Sequence, residues 1–255
     1  MYAMIFCLNS TRRKRVAIMF CLASVSMTTP SVVRADYTKV PPAYFPNLVE
    51  KATTPEGFVP PGIKLEKVVK GDLNGDAVAD LAMVLKMDNP ANVLKDPDDA
   101  DREPLDTNPR MMAVAMADKD GKGYSIYTVN MSLIPRVEEP YVNDPFVDLK
   151  IDRGVMRIVL DQSSSAGSWS SSNITFIFRK SPQEMSLIGY DRTDLNRSSG
   201  ELTETSINFV TGKQQISAGS VSSDRKSTKL TQLPKRPLQS MGMIGDGFSF
   251  DSLNP

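Results

Sequence analysis

Residues 71–86 read GDLNGDAVADLAMVLK, and this stretch decides the fold because a polar turn runs directly into an apolar run. The turn carries side chains with oxygen atoms at alternate positions, namely Asp72, Asn74, Asp76 and Asp80. A short apolar run that follows a cluster of glycine, asparagine and aspartate is typical of a β-strand that begins at a turn. The stretch therefore predicts a tight loop followed by a strand.

The same four side chains fall at positions 1, 3, 5 and 9 of a calcium-binding loop, and the backbone carbonyl of Val78 falls at position 7. Calcium takes six to eight oxygen ligands at about 2.3–2.6 Å, so the loop predicts a calcium site. Position 6, which favours glycine, is Ala77, and position 12 is Met83, which cannot be a ligand. The expected affinity is therefore modest, with a dissociation constant of about 10⁻⁴ to 10⁻³ M. The alternative is a turn whose Asx side chains accept hydrogen bonds from the backbone without any ion.

The rest of the chain also predicts strands, because its short runs are β-branched or alternating and turn residues separate most of them. Glycine-containing turns at 118–123, 153–154 and 211–213 join successive strands, which indicates a meander. The expected fold is mostly β, an antiparallel meander that forms a sandwich or a partly open barrel. The predicted strands are 64–70, 81–86, 111–117, 124–130, 146–151, 155–161, 170–179, 185–190, 201–210, 214–218 and 226–231.

The two ends of the chain predict an exported protein with a single domain. Residues 1–35 combine a basic cluster, an apolar run at 16–27 and a small-x-small site ending at Ala35, as a signal peptide does. That run of 12 residues is shorter than the roughly 20 needed to span a bilayer, so we expect cleavage, a periplasmic location in a Gram-negative bacterium and no membrane insertion of the mature chain. Residues 36–62 predict a proline-rich strap with a short helix near 48–52. The β domain follows at 63–232, and an irregular tail at 233–255.

Composition limits the possible functions. Both cysteines, Cys7 and Cys21, lie in the predicted signal peptide, so the mature chain has no disulfide and no thiolate metal site. All 30 acidic residues follow residue 35 whereas five of the 30 basic residues precede it, which leaves a net charge of −5 for residues 36–255. An acidic exported domain is a poor binder of nucleic acid. The chain has no histidine, which excludes Ser-His-Asp and Cys-His catalysis and histidine-ligated zinc.

At the loop the chain resembles the FG-GAP and VCBS-type calcium segments of exported bacterial proteins and integrin propellers. Those families repeat the segment, whereas here there is one good copy, and the nearest second candidate, residues 244–248, has only one carboxylate, Asp246. The resemblance implies a calcium-braced β-hairpin and no propeller. Together with Asn108-Pro109-Arg110 and Asp144-Pro145-Phe146, the layout is similar to a group of exported bacterial proteins without established function.

These observations lead to two hypotheses about function. The first is a non-catalytic protein that binds a protein partner, and one specific form is an immunity protein against a toxin directed at the cell envelope. The second is a hydrolase of envelope glycans that uses paired carboxylates, which the abundant acidic residues leave open. No catalytic residue is assigned under the first hypothesis, and enzyme activity is the less favoured of the two.

Three further segments carry weaker predictions. The acidic, proline-rich stretch at 87–110 is a solvated surface loop or a partner-binding flap. The only tryptophan, Trp169, is either an exposed binding anchor or a core residue where a strand begins. Tyr190, Asp191 and Asp194 are expected to form the turn after the strand at 185–190.

Overall fold

The computed structural model describes residues 40–97, 99, 101–163 and 170–253, all of which belong to the unit Ala35–Pro255. The predicted signal peptide and Trp169 lie outside these residues. The described part forms three short 3₁₀ turns, Pro55–Phe58, Pro90–Asn92 and Met241–Met243. Its strands are β1 Lys51–Ala52, β2 Ile63–Gly71, β3 Asp80–Met87, β4 Val93–Leu94, β5 Leu105–Asp106, β6 Arg110–Ala117, β7 Tyr124–Asn130, β8 Phe146–Asp152, β9 Val155–Ser163, β10 Ser170–Lys180, β11 Met185–Asn196, β12 Glu201–Asn208, β13 Lys213–Ser220 and β14 Ser223–Gln232.

The strands form antiparallel sheets. One sheet has five strands in the order β1-β7-β6-β3-β2, the second has seven in the order β14-β13-β12-β11-β10-β9-β8, and β4 pairs with β5. The seven-stranded sheet is a pure meander, and one of the sheets curls as a half-barrel. About 51% of the described residues are in strands and 5% in helices, which makes this a mostly-β antiparallel sandwich, so the predicted fold class is confirmed.

The main core lies between the two sheets. Ala82 and Val84 of β3 face Phe176 and Phe178 of β10, with Tyr190 beside them, and all are buried. The opposite face of β3 is also buried and contributes Leu81, Met83 and Leu85 to a second core. Successive side chains of a strand point to opposite faces, and a strand buried on both faces reads as a continuous apolar run. This is why residues 81–85, LAMVL, are all apolar and do not alternate between apolar and polar side chains.

The N-terminal strap covers the second core. Phe45, Leu48 and Phe58 pack against it, and Phe58 is fully buried. The helix predicted near 48–52 is wrong, because Lys51–Ala52 is a strand that pairs with β7. The backbone N–H of Ile126 donates to the carbonyl oxygen of Glu50 at 2.9 Å, so a neighbouring strand supplies the hydrogen bond that a helix would have made locally.

Strand β11 is longer than its sequence indicates. It continues to Asn196, and Tyr190, Asp191 and Asp194 are strand residues that pair across to β10 and β12. The predicted turn at these residues is therefore wrong. The partner strand β10 has 11 residues and extends the ladder as far as the pair Ser170↔Asn196, and this tertiary pairing outweighs the turn preference of the aspartates.

The acidic segment between β3 and β6 is held at its base. Lys86 Nζ lies 2.8 Å from Asp106 Oδ2. Asn92 Nδ2 donates to Asn108 Oδ1 at 3.0 Å, and Thr107 Oγ1 donates to the Asn92 carbonyl oxygen at 2.7 Å. Asn92, Thr107 and Asn108 are buried, so the two ends of this loop belong to the folded domain.

The tail after β14 packs on the core through irregular backbone. Asn130 Nδ2 donates to the carbonyl oxygens of Met241 and Ile244 at 2.6 and 2.7 Å. The ring of Phe250 lies 5.2 Å from those of Phe176 and Tyr190, measured between centroids. In the part of the chain that the structure describes, no helix is both long and apolar enough to cross a bilayer.

Candidate functional site

The predicted calcium loop connects β2 to β3, which pair as an antiparallel hairpin. The loop enters under the sheet, since Leu73 is buried in the main core. A Cβ atom on Gly71 would lie 2.5 Å from Ile151 Cγ2, so this glycine permits the close approach of β2 and β8. The loop is thus fixed at its start by packing, while residues 74–77 are exposed.

Asp72 lies at the centre of the loop. Its Oδ1 accepts hydrogen bonds from the backbone N–H groups of Asn74 and Gly75 at 3.1 and 2.6 Å, and its Oδ2 accepts one from Ala77 at 2.8 Å. The bonds from Ala77 and Gly75 stabilise the charged form and lower the pKa of Asp72. The backbone therefore wraps around an ionised carboxylate.

Asn74 and Asp76 continue the same pattern on the exposed side of the loop. The backbone N–H of Asp76 donates to Asn74 Oδ1 at 2.9 Å, and Asn74 Nδ2 donates to Asp76 Oδ2 at 2.9 Å. The backbone N–H of Val78 donates to Asp76 Oδ1 at 2.8 Å. The two bonds from the backbone N–H groups of Asp76 and Val78 are Asx turns, the alternative that the sequence left open.

Two residues in the loop have left-handed backbone conformations. Gly75 has a φ of 84°, and Ala77 has a φ of 67° although it carries a side chain. Ala77 stands at the position where calcium loops favour glycine. The bend that a calcium loop requires is therefore present, formed with an alanine.

Asp80 differs from the other three side chains because it is fully buried. Its Oδ2 accepts a hydrogen bond from the Leu73 backbone N–H and its Oδ1 one from that of Ala117, both at 2.9 Å. Burial raises the pKa of Asp80, and the charges of Asp76 and Asp72 raise it further, against the effect of the two hydrogen bonds. The carboxylate connects the hairpin loop to the end of β6, 37 residues away in sequence.

The chemistry of this donor set fits calcium, a hard cation that prefers carboxylate and amide oxygens. A carboxylate has about four acceptor sites, so Asp72, Asp76 and Asp80 retain acceptor capacity beyond the hydrogen bonds described. The geometry is less complete, because within residues 40–253 as described no three acidic side chains are gathered closely enough to hold a metal ion. Val78, the predicted carbonyl ligand, is half-buried in the same loop. The loop thus contains the oxygen atoms that calcium prefers as ligands, and in this structure those oxygen atoms accept hydrogen bonds from backbone N–H groups.

Sequence reasoning missed the contribution of the β6–β7 connection. Ala117 donates to Asp80, and a Cβ atom on Gly121 would lie 3.6 Å from Val78 Cγ1, so the turn at 118–123 lies beside the loop. Asp118 and Asp120 of this turn had indicated only a hairpin. No local signal in the sequence joins the two segments, because their contact depends on the pairing of β3 with β6.

A second polar cluster joins two of the segments that the sequence analysis singled out. Arg110 is 4% exposed, and its Nε lies 2.5 Å from Glu66 Oε2 while its Nη2 lies 2.6 Å from Asp144 Oδ2. Although burial opposes it, the bonds to Glu66 and Asp144 raise the pKa of Arg110. The guanidinium also lies over the Phe146 ring, 5.9 Å from its centroid. Because the cation is enclosed by its partners, this cluster holds β2, β6 and the start of β8 together.

The chain matches none of the family models, curated proteins or solved structures with which it was compared. The resemblance to FG-GAP and VCBS segments therefore stays a prediction carried by residues 71–86.

Proposed function

We propose that this protein is a non-catalytic periplasmic binding protein whose β-sandwich is stabilised by calcium in the loop Asp72, Asn74, Asp76, Val78 and Asp80. A protein partner is the proposed ligand, and an immunity protein that blocks an envelope-directed toxin is one specific form of this function. The single observation that carries the calcium part is the fold of the loop around its own carboxylates, with Asp80 buried beneath it.

Uncompensated negative charge supports the calcium site. Among the ion pairs of the described residues, none includes Asp72, Asp76 or Asp80. Burial is the main cause of the raised pKa of Asp80, and the charges of Asp76 and Asp72 raise that pKa further, so the carboxylates repel one another. A bound cation removes this repulsion and favours the ionised form of Asp80. Because Asp80 also binds Ala117, the ion would strengthen the link between the β2–β3 hairpin and β6.

Exposed apolar side chains outside the strands of the sandwich support the binding part of the proposal. Tyr44 is 84% exposed and Met131 is 48% exposed, and together with Pro109, Pro135 and Arg136 they line one shallow groove. Aromatic residues, methionine and arginine are enriched at protein interfaces. The absence of histidine removes the commonest general base and nucleophile partner, which favours binding over catalysis.

Thermal melting of residues 36–255 with excess calcium and with chelator tests the calcium part. A ligand bound only by the folded state adds about 2.7 kcal/mol at a hundred times its dissociation constant, so calcium should raise the midpoint of the parent protein. Asp76→Ala should abolish the shift. Asp88→Ala is the matched control, because Asp88 is an exposed aspartate that pairs with Lys64 outside the loop. An equal shift in all three proteins, or in none, contradicts the site.

The hydrolase alternative is tested by turnover on peptidoglycan and other envelope glycans. The proposal expects no release of reducing sugar above a heat-denatured control. Turnover that is lost on replacing a single carboxylate outside the loop overturns the non-catalytic function.

A further inference from the structure

Each sheet of the sandwich has two outer strands, and three of the four are protected or very short. Strands β2 and β8 lie beside each other, as the Lys67 Nζ to Asp148 Oδ1 distance of 3.5 Å and the close approach of Gly71 to Ile151 show. Strand β1 has only two residues. Strand β14 has 10 residues, and in the described part of the chain only β13 pairs with it. The long open edge of the fold is therefore β14.

Half of the backbone groups along β14 face away from the sheet. The Leu233 N–H donates to the Gly212 carbonyl oxygen at 2.7 Å, so Gly212 and Leu233 are a hydrogen-bonded pair. The next pair along the two strands, Lys213↔Gln232, is therefore a pair without hydrogen bonds between its members. Because such bonds occur at every second residue of an antiparallel pair, Thr228, Leu230 and Gln232 direct their backbone groups outward. The pairing of β13 with β14 is regular from Lys213↔Gln232 to Ala218↔Ser227, and its register shifts between Ala218 and Ser220. All residues of β14 are exposed, so the outward groups are accessible.

The edge is basic although the domain is acidic. Strand β14, SDRKSTKLTQ, contains three basic residues and one acidic residue, whereas residues 36–255 have a net charge of −5. Lys226 Nζ pairs with Glu204 at 2.8 Å, but for Arg225 and Lys229 the described residues supply no ion-pair partner. Leu230 follows Lys229 directly, near the end of the strand, and is 75% exposed.

We propose that β14 binds an extended acidic segment of a partner protein as an eighth, antiparallel strand of the sheet. The proposal rests on the proposed function as a binding protein and gives that function a second contact surface, separate from the groove at Tyr44 and Met131. Main-chain hydrogen bonds to Thr228, Leu230 and Gln232 provide affinity, and alternate side chains provide specificity. Acidic side chains opposite Arg225 and Lys229 give the favourable cross-strand charge pairs, and an apolar side chain covers Leu230.

A second copy of this chain is the wrong occupant for the same edge. Antiparallel pairing of β14 with itself about Ser227, a register that uses the outward groups of Thr228, brings Arg225 of each copy opposite Lys229 of the other, and like charges opposite each other destabilise a sheet. Lysines on an edge strand oppose self-pairing in this way. The edge thus selects a strand of opposite charge.

The first test uses end-blocked decapeptides of alternating glutamate and valine. The parent protein should bind this peptide in titration calorimetry and should not bind the lysine-valine counterpart. Two N-methylated versions with unchanged charge separate strand pairing from charge attraction, since methylation at alternate residues removes either the inward or the outward N–H groups. One version should bind at least tenfold more weakly and the other should bind nearly as well as the parent peptide. Equal binding of both overturns the proposal.

The second test changes the protein. Leu230→Pro removes an outward N–H while leaving the bonds to β13, and proline is tolerated on sheet edges. This variant should keep its fold and lose peptide binding, and Leu230→Val is the matched control that should retain it. If Leu230→Pro fails to fold, the double variant Arg225→Glu and Lys229→Glu takes its place. This double variant should bind the lysine-valine peptide more tightly than the glutamate-valine peptide. Unchanged binding in the variants overturns the proposal, as does equal affinity of the parent for anionic vesicles or single-stranded DNA.

The outcomes also separate this inference from the proposed function. A partner crosslinked from the envelope that Leu230→Pro still binds overturns the β14 site and leaves the binding function intact. Failure of the peptide, with no crosslinked partner for the parent either, overturns both. A concentration-dependent dimer abolished by Leu230→Pro assigns the edge to a second copy and also overturns the proposal.

Discussion

At the scale of a single residue, Ala77 is the strained position of the candidate calcium loop. Its φ of 67° is a left-handed conformation, which costs a residue with a side chain about 1–2 kcal/mol. We expect Ala77→Gly to raise the free energy of unfolding by up to about 1 kcal/mol, because glycine relieves this strain but loses more chain entropy. Urea denaturation without calcium measures the change.

Ala79→Gly is the control for that prediction. Ala79 is exposed in the same loop, and it is not among the residues with positive φ in the described chain. Glycine there should lower the free energy of unfolding by about 0.5–1 kcal/mol, since it adds chain entropy to the unfolded state without relieving strain. Equal destabilisation by both substitutions would show that Ala77 is not strained.

At the scale of one element, the ion pair between Lys86 and Asp106 holds the base of the acidic loop. Although burial opposes it, the bonds from Lys86 and Asn108 lower the pKa of Asp106. A carboxyl group whose pKa is lowered by folding stabilises the fold at a pH above the pKa that it has in the unfolded chain, about 3.9. This stability is lost as the pH falls through the lower pKa of the folded state. We expect the loop base to loosen only in acid. The side-chain amide signals of Asn108 in an NMR titration report it, because its Nδ2 donates to Asp106 Oδ1 at 2.7 Å.

Lys86→Met provides the matched comparison for this titration. It keeps an apolar stem against the sheet but removes the charge, so the transition of Asn108 should move to higher pH. If the midpoint stays where it is in the parent protein, Lys86 does not set the pKa of Asp106, and the loop is held by the buried amides alone.

At the scale of the whole molecule, Asn130 attaches the C-terminal tail to the core. Its Nδ2 binds two carbonyl oxygens of the tail, and its Oδ1 accepts from the backbone N–H groups of Ser132 and Leu133. Asn130→Asp keeps the acceptor and loses both donors, which should lower the free energy of unfolding by about 3 kcal/mol. Urea denaturation measures the loss, and faster tryptic cleavage after Lys235 should accompany it.

Asn208→Asp is the same chemical change at a residue whose side-chain oxygen accepts a hydrogen bond and whose side-chain NH₂ group makes none in the described part of the chain. Asn208 Oδ1 accepts from the Thr211 N–H at 2.9 Å and the residue is exposed. This substitution should change the free energy of unfolding by less than about 0.5 kcal/mol. A comparable loss in both variants would mean that charge, rather than the two lost donors, destabilises the protein.

The sequence by itself determined the strand class, the position of the long strands and the local chemistry of the loop. Strand β7 is found at the predicted residues, and the other long strands differ mainly at their ends, because alternation and glycine turns are local signals. The Asx hydrogen bonds from Asp72 to Val78 are also local, since each spans five residues or fewer. A pattern of nearby residues is sufficient to encode contacts of this kind.

Only the tertiary structure decided where distant segments meet. The bond from Ala117 to Asp80, the extension of β11 to Asn196 and the strand at Lys51–Ala52 all depend on a partner strand elsewhere in the chain. The open edge at β14 is likewise a property of the sheet order, which leaves β2 and β8 covered and β14 exposed. A hydrogen bond between strands is encoded at two separate places, so neither segment alone reveals the pairing or the edge that remains without one.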